Sequence, residues 1–115
     1  MLNLSEIHHI HFIGIGGIGM SGLARIAVEK GFRVTGSDPN DNPAVRRLIA
    51  LGAEIHSKQD EANIRQSVPD LVVITAAIHE DNPELQTARR MGLPVVSRAE
   101  FLGRIMDLYP GPRIA

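Results

Sequence analysis

A glycine string near the start of this 115-residue chain restricts its fold more than any other feature. Gly14-Ile15-Gly16-Gly17-Ile18-Gly19-Met20-Ser21-Gly22 stands between a β-type run, His9 to Ile13, and a helical pattern from Ile18 to Lys30. It fits G-x-G-x-x-G at Gly14, Gly16 and Gly19, and an acidic residue, Asp38, follows about 20 residues on. Gly14 permits the tight turn, Gly16 lets a phosphate approach the backbone, and Gly19 lets the helix lie close to the strand. Free N–H groups at the helix start, with the positive end of its dipole, then form an anion site that needs no basic side chain. A turn serving only helix–sheet packing would use the same glycines; the strand before, the helix after and Asp38 favour the phosphate.

The rest of the chain repeats one rhythm. Helical patterns end at Gly31, Gly52 and Gly92, and a short β-type run follows each. Glycine just past a helix takes the left-handed cap without a Cβ penalty. The spacings, 21 residues and then 40, hold one βα unit and then two. Strands are expected at His9–Ile13, Arg33–Gly36, Glu54–His56, Leu71–Ile74 and Pro94–Val96. Helices are expected at Ile18–Lys30, Pro43–Leu51, Glu61–Gln66, Pro83–Met91 and Ala99–Asp107. Asn42 and Asn82 precede prolines and read as N-caps, and Ser97 with Glu100 reads as a capping box. The expectation is an α/β, Rossmann-like, doubly wound parallel sheet of about five strands with helices on both faces. It occupies residues 1–108, and Tyr109-Pro110-Gly111-Pro112 opens a linker, 109–115, toward something longer.

Composition closes other routes. Lys plus Arg number 12 against 13 Asp plus Glu, for a net charge of −1, so no basic field holds a nucleic-acid backbone. Aromatics are 3% and scattered, which argues against base-stacking platforms. Cysteine is absent, removing disulfides, thiolate catalysis and Cys-ligated zinc. No apolar run approaches the roughly 20 residues of a membrane span, and the N-terminus lacks a secretory signal pattern. A cytoplasmic protein with neither nucleic-acid nor membrane partner is expected.

Asp38 closes the run Thr35-Gly36-Ser37-Asp38, where a carboxylate can accept hydrogen bonds from ribose hydroxyls; an Asx turn before Pro39 is the other use of such a residue. An acid there also disfavours a 2′-phosphate. After the fourth strand, Thr75-Ala76-Ala77-Ile78 leaves room for a planar base and offers one hydroxyl, while Glu80, Asp81 and Glu84 read as a solvated loop and helix cap. His8, His9 and His11 crowd the first strand without an identifiable third metal ligand, so strand-edge packing is expected of them and no metal site. No nucleophile–base pair and no lysine-bearing phosphate loop is present, so no catalytic residue is expected in this chain.

The run His11-Phe12-Ile13-Gly14-Ile15-Gly16-Gly17-Ile18-Gly19-Met20-Ser21-Gly22 closely resembles the N-terminal segment of the Mur ligase family, as do Gly36-Ser37-Asp38, Asp81-Asn82-Pro83-Glu84 and Arg98-Ala99-Glu100-Phe101-Leu102. The resemblance implies a first domain that holds the UDP part of UDP-N-acetylmuramate, in a peptidoglycan-precursor ligase that joins L-alanine to it through an acyl phosphate. A central domain carrying ATP and Mg2+ and a C-terminal domain would complete the enzyme, so this chain alone is expected to bind nucleotide without ligating and to hold no cofactor. By the same resemblance the candidate UDP site spans Gly14 to Ser21, with Gly16 to Met20 at the diphosphate, Ser37 and Asp38 at the ribose, and Thr75, Ala76, Ala77 and Ile78 at the uracil. Ser21 and Arg98 are further candidates for phosphate or sugar contacts. Two residues depart from the family's pattern: Thr75-Ala76 stands where many members have Ser-Ser, and Gln59 near where many have histidine. The alternatives are a related ligase that recycles an intact murein peptide, an NAD-sensing regulatory module, and the cofactor half of a dehydrogenase.

Overall fold

In the computed structural model, which describes residues 3–108, the β-type runs form one parallel sheet. The strands are β1 (His9–Ile13), β2 (Arg33–Ser37), β3 (Glu54–His56), β4 (Leu71–Ile74) and β5 (Val95–Ser97), in the order β3-β2-β1-β4-β5. The helices between and after them are α1 (Met20–Glu29), α2 (Pro43–Ala50), α3 (Ala62–Ser67), α4 (Pro83–Arg90) and α5 (Arg98–Leu108). Register pairs Ile10 with Val34 on one side and Leu71 on the other, so β1 is the central strand. The order reverses between β1 and β4, which opens a crevice at the carboxyl ends of the strands. The linker expected at 109–115 lies outside the described residues.

Alternation along β1 sorts the two faces. Ile10 and Phe12 join Met20, Leu23, Leu48, Phe101 and Ile105 under α1, α2 and α5. There Phe12 and Phe101 meet edge to face, with centroids 5.8 Å apart. Ile13 joins Val72, Ile64, Leu85 and Ala88 in the smaller apolar cluster under α3 and α4. His9 and His11 share that second face. The expectation of strand-edge packing for them is corrected: β1 is the sheet's centre, both imidazoles are buried, and each is hydrogen-bonded to Thr35 Oγ1 at 2.8 Å.

Local chemistry sets the boundaries. α1 begins at Met20 rather than Ile18 because Gly19, at φ 82°, cannot continue a right-handed helix. Asn42 and Asn82 cap α2 and α4 as expected, Asn42 Oδ1 accepting the Val45 N–H and Asn82 Oδ1 those of Glu84 and Leu85. Gly31, Gly52 and Gly92 all take positive φ after their helices. Ser97 ends β5 and its hydroxyl accepts the Glu100 N–H at 3.1 Å, so α5 starts without an intervening loop. α3 stops at Val68, a β-branched residue at φ 43°.

Candidate functional site

The crevice at the strand ends holds a cavity of about 730 Å³. Gly14, Gly17, Ile18, Met20, Asp38, Thr75, Ala76, Ala77, Ile78 and Arg98, all singled out from the sequence, line it together with Pro39, Asn40, Gln59, Ser97 and Ala99. Along the sheet, Gln59 follows β3 and Arg98 follows β5, so they stand at opposite ends of the strand order.

The glycine turn is a hydrogen-bonded object before any ligand arrives. Gly14 and Ile15 donate to Ser37 O, Gly17 to Gly14 O, and Met20 and Ser21 to Gly17 O. Gly16 N–H donates to Asp38 Oδ2 at 2.8 Å, while Asp38 Oδ1 accepts the Asn40 N–H at 2.9 Å. Asp38 is thus the Asx-turn residue and the anchor of the turn at once. Among the described residues, the amides of Ile18 and Gly19 have no acceptor, and these are the N–H groups left to an anion. Arg98 lies against the turn here: a Cβ on Gly19 would stand 3.3 Å from its Nη1. The guanidinium is exposed and has no ion-pair partner among the described residues. Two amides at the opening of α1 beside one arginine form an anion corner.

Some of the named residues sit behind the cavity rather than on it. Ile15 is fully buried and covers β2 at Gly36, where a Cβ would come within 2.6 Å of Ile15 Cδ1. Gly16 faces α2: a Cβ there would meet Val45 Cγ2 at 2.7 Å, so its missing side chain serves helix packing. Ser21 lines a separate cavity of about 360 Å³ between α1 and α2.

Ser37 points the other way, into a polar chain under α4. Its hydroxyl donates to Glu84 Oε1 at 2.8 Å, and His11 Nε2 lies 2.6 Å from the same oxygen. Glu84 Oε2 accepts from Asn63 Nδ2 at 2.7 Å and from the Asp60 N–H at 3.1 Å. The expectation that Glu84 is solvated is corrected, since it is fully buried; Glu80 and Asp81 are exposed as expected. Burial alone would push the Glu84 carboxyl up, but the hydrogen bond and charge of His11, with the Asn63 and Ser37 bonds, hold it below its ordinary value. No buried side-chain polar atom lacks a partner among the described residues. The sequence reading missed this chain because Asp81-Asn82-Pro83-Glu84 has the composition of a surface cap. The available signal was His11 itself, since a buried imidazole on an inner strand face needs an acceptor.

Chemically the site can bind and orient. Among the described residues no group of three His, Asp or Glu side chains could hold a metal ion, and no helix is long and apolar enough to cross a membrane.

The sequence pattern of the Mur ligase family, catalytic domain, matches residues 9–110. The chain is 54% identical over 101 residues to the UDP-N-acetylmuramate–L-alanine ligase of Lachnospira eligens, a match covering 88% of this chain and 22% of that protein. Among solved structures, the UDP-N-acetylmuramate–alanine ligase of Thermotoga maritima superposes with a TM-score of 0.80 at 35% identity, over 86% of this chain and 23% of that one. The UDP-N-acetylmuramate:L-alanyl-gamma-D-glutamyl-meso-diaminopimelate ligase of Neisseria meningitides gives 0.77 at 36%, over 84% and 30%. The chain thus spans less than a third of the length of each. With the match running from β1 to beyond α5, and with solved ligases sharing both fold and a third of the sequence, the chain belongs to the Mur ligase family.

Proposed function

We propose that this chain is the nucleotide-holding N-terminal part of an ATP-dependent UDP-N-acetylmuramate–L-alanine ligase, and that its cavity takes the UDP portion of UDP-N-acetylmuramate. The observation that carries the reading is the anion corner of the Ile18 and Gly19 amides beside Arg98, at one end of a cavity large enough for a nucleotide. In this reading the diphosphate sits at that corner, the ribose near Asp38, and the uracil along Thr75 to Ile78. Ile15, Gly16, Ser21 and Ser37 act from behind, fixing the turn and the end of β2. The names of relatives near half identity favour the alanine-adding reaction over murein-peptide recycling. Location in the cytoplasm, where UDP-linked precursors and ATP are found, goes with it.

ATP and Mg2+ would supply carboxylate activation in the whole enzyme. The described residues do not fit them, having neither a lysine-bearing phosphate loop nor a metal-ligand group. We assign them to the further length that the relatives carry. The test is parallel calorimetric titration of the purified chain with UDP-N-acetylmuramate, UDP and NADH. Saturable binding of the uridine ligands is expected; saturation by NADH with no response to either uridine ligand overturns the reading.

A further inference from the structure

The polarity of one cavity wall is fixed by a helix cap two contacts away. Asn82 begins α4, and its Oδ1 accepts the backbone N–H of Glu84 at 2.9 Å and of Leu85 at 3.2 Å. That duty can be met only by the carbonyl end of the amide, so Nδ2 must point outward as a donor. It donates to Gln59 Oε1 at 2.9 Å. The Gln59 amide is therefore oriented too: its oxygen is turned to Asn82, and its Nε2–H groups have no partner among the described residues. Gln59 is half-buried and lines the cavity. The wall at this point offers a donor, and its orientation is imposed by a helix terminus that cannot accept the opposite arrangement.

The neighbouring loop says what this donor meets. In the proposed arrangement the uracil lies along Thr75 to Ile78, in the loop that runs from β4 to Asn82, and Gln59 is bonded to Asn82 and lines the same cavity, so the base lies within the reach of Gln59. In a pyrimidine, the C4 substituent lies across the ring from the glycosidic nitrogen and reaches furthest from the sugar. A carbonyl oxygen there accepts a hydrogen bond, whereas the amino group of cytosine donates one.

We propose that Gln59 is a specificity-determining residue that selects uracil over cytosine at C4, and that Asn82 sets its sense. This rests on the cavity being a UDP site. The hydroxyl of Thr75, which can donate or accept, does not discriminate in this way. Facing cytosine, the locked amide would oppose donor to donor and leave both without a partner.

The test is calorimetric titration of the chain with UDP and with CDP, for the unchanged sequence, Gln59→Glu and Asn82→Asp. The unchanged chain is expected to prefer UDP by about tenfold. Gln59→Glu replaces the donor by an acceptor and should abolish or invert that preference. Asn82→Asp is the sharper variant: aspartate caps a helix as well as asparagine, so the fold is kept, as thermal unfolding will verify. Yet it can only accept from Gln59, so the amide turns over and the preference should fall without any change to Gln59 itself. A UDP:CDP ratio that is the same in all three proteins, or equal affinities in the unchanged chain, overturns the assignment while leaving the UDP site in place. An unchanged chain that binds neither nucleotide overturns the UDP site itself, and this inference with it.

Discussion

His11 Nε2 and Glu84 Oε1 stand 2.6 Å apart with neither side chain reaching solvent, joining the central strand to the first turn of α4. Because Glu84 is held as a carboxylate, His11 donates to it. The single hydroxyl proton of Thr35 can then serve only one imidazole, and the other must donate to Thr35. Glu84→Ala would leave His11, Ser37, Asn63 and the Asp60 amide without their acceptor. The expected cost is about 3–5 kcal/mol in denaturant unfolding, because the partners stay buried and unpaired. A loss below about 1 kcal/mol would mean that water replaces the carboxylate freely.

The same layer sets the response to acid. Burial, helped by the charges of Arg33 and His11, holds His9 below its ordinary value of 6.5 against the pull of Asp70. The unfolded chain takes up that proton first, so stability is full above about pH 6.5 and declines as pH falls below it. Glu84 is also depressed, from an ordinary 4.5, so its contribution is present above about pH 4.5 and is lost on further acidification. The unfolding midpoint, followed by circular dichroism from about pH 8 to about pH 2, should fall in two stages. His9→Gln should remove the upper stage alone.

Gly16→Ala tests what the second glycine is for. A Cβ there would stand 2.7 Å from Val45 Cγ2 and 2.9 Å from Asp38 Oδ2. The turn and the start of α2 must separate, at an expected cost of about 1–3 kcal/mol in thermal unfolding. UDP affinity should fall with it. Unchanged stability with lost affinity would instead restore the direct phosphate contact that the G-x-G-x-x-G pattern predicts.

Asp38→Ala removes the acceptor of the Gly16 and Asn40 amides. A loss of about 1–3 kcal/mol in stability is expected from those unsatisfied donors, with weaker UDP binding from the lost ribose acceptor. Lower stability with unchanged UDP affinity would leave Asp38 with the anchoring role only.

Val68 ends α3 at φ 43° and ψ 72° and is 50% exposed. A β-branched residue pays about 1–2 kcal/mol for that conformation, and little packing is lost on removing it. Val68→Gly is expected to raise stability by up to about 1 kcal/mol, with the cost of glycine's greater freedom in the unfolded chain already subtracted. Differential scanning calorimetry reads it directly, and a lower melting temperature would show that Val68 packs better than its exposure suggests.

The sequence made the frame legible wherever one local rule dominates. β1, β3 and β4 fall on their expected residues, because alternation in His9–Ile13 and the aliphatic run Leu71–Ile74 need no tertiary information. The caps at Asn42 and Asn82 were legible for the same reason. What escaped were effects that depend on two distant segments meeting. Gly19 fits a helix by position but takes a backbone conformation set by the turn, which shortens α1. Glu84 has the composition of a solvated cap and is drawn inside by His11, 73 residues away. Gln59, left open from the sequence, acquires its orientation only once α4 is placed beside it.

α5 follows β5 with no residue between them, and Ser97 is both the last strand residue and the group that receives the Glu100 N–H. A joint of that kind has no slack. Phe101 and Ile105 key α5 into the core, so a rotation of that helix would have to carry Arg98 and the sheet edge with it. Arg98, the cationic side chain beside the Ile18 and Gly19 amides, is thereby mounted on a junction that contains no loop. Displacing it by rotation would require the outer strand to move as well.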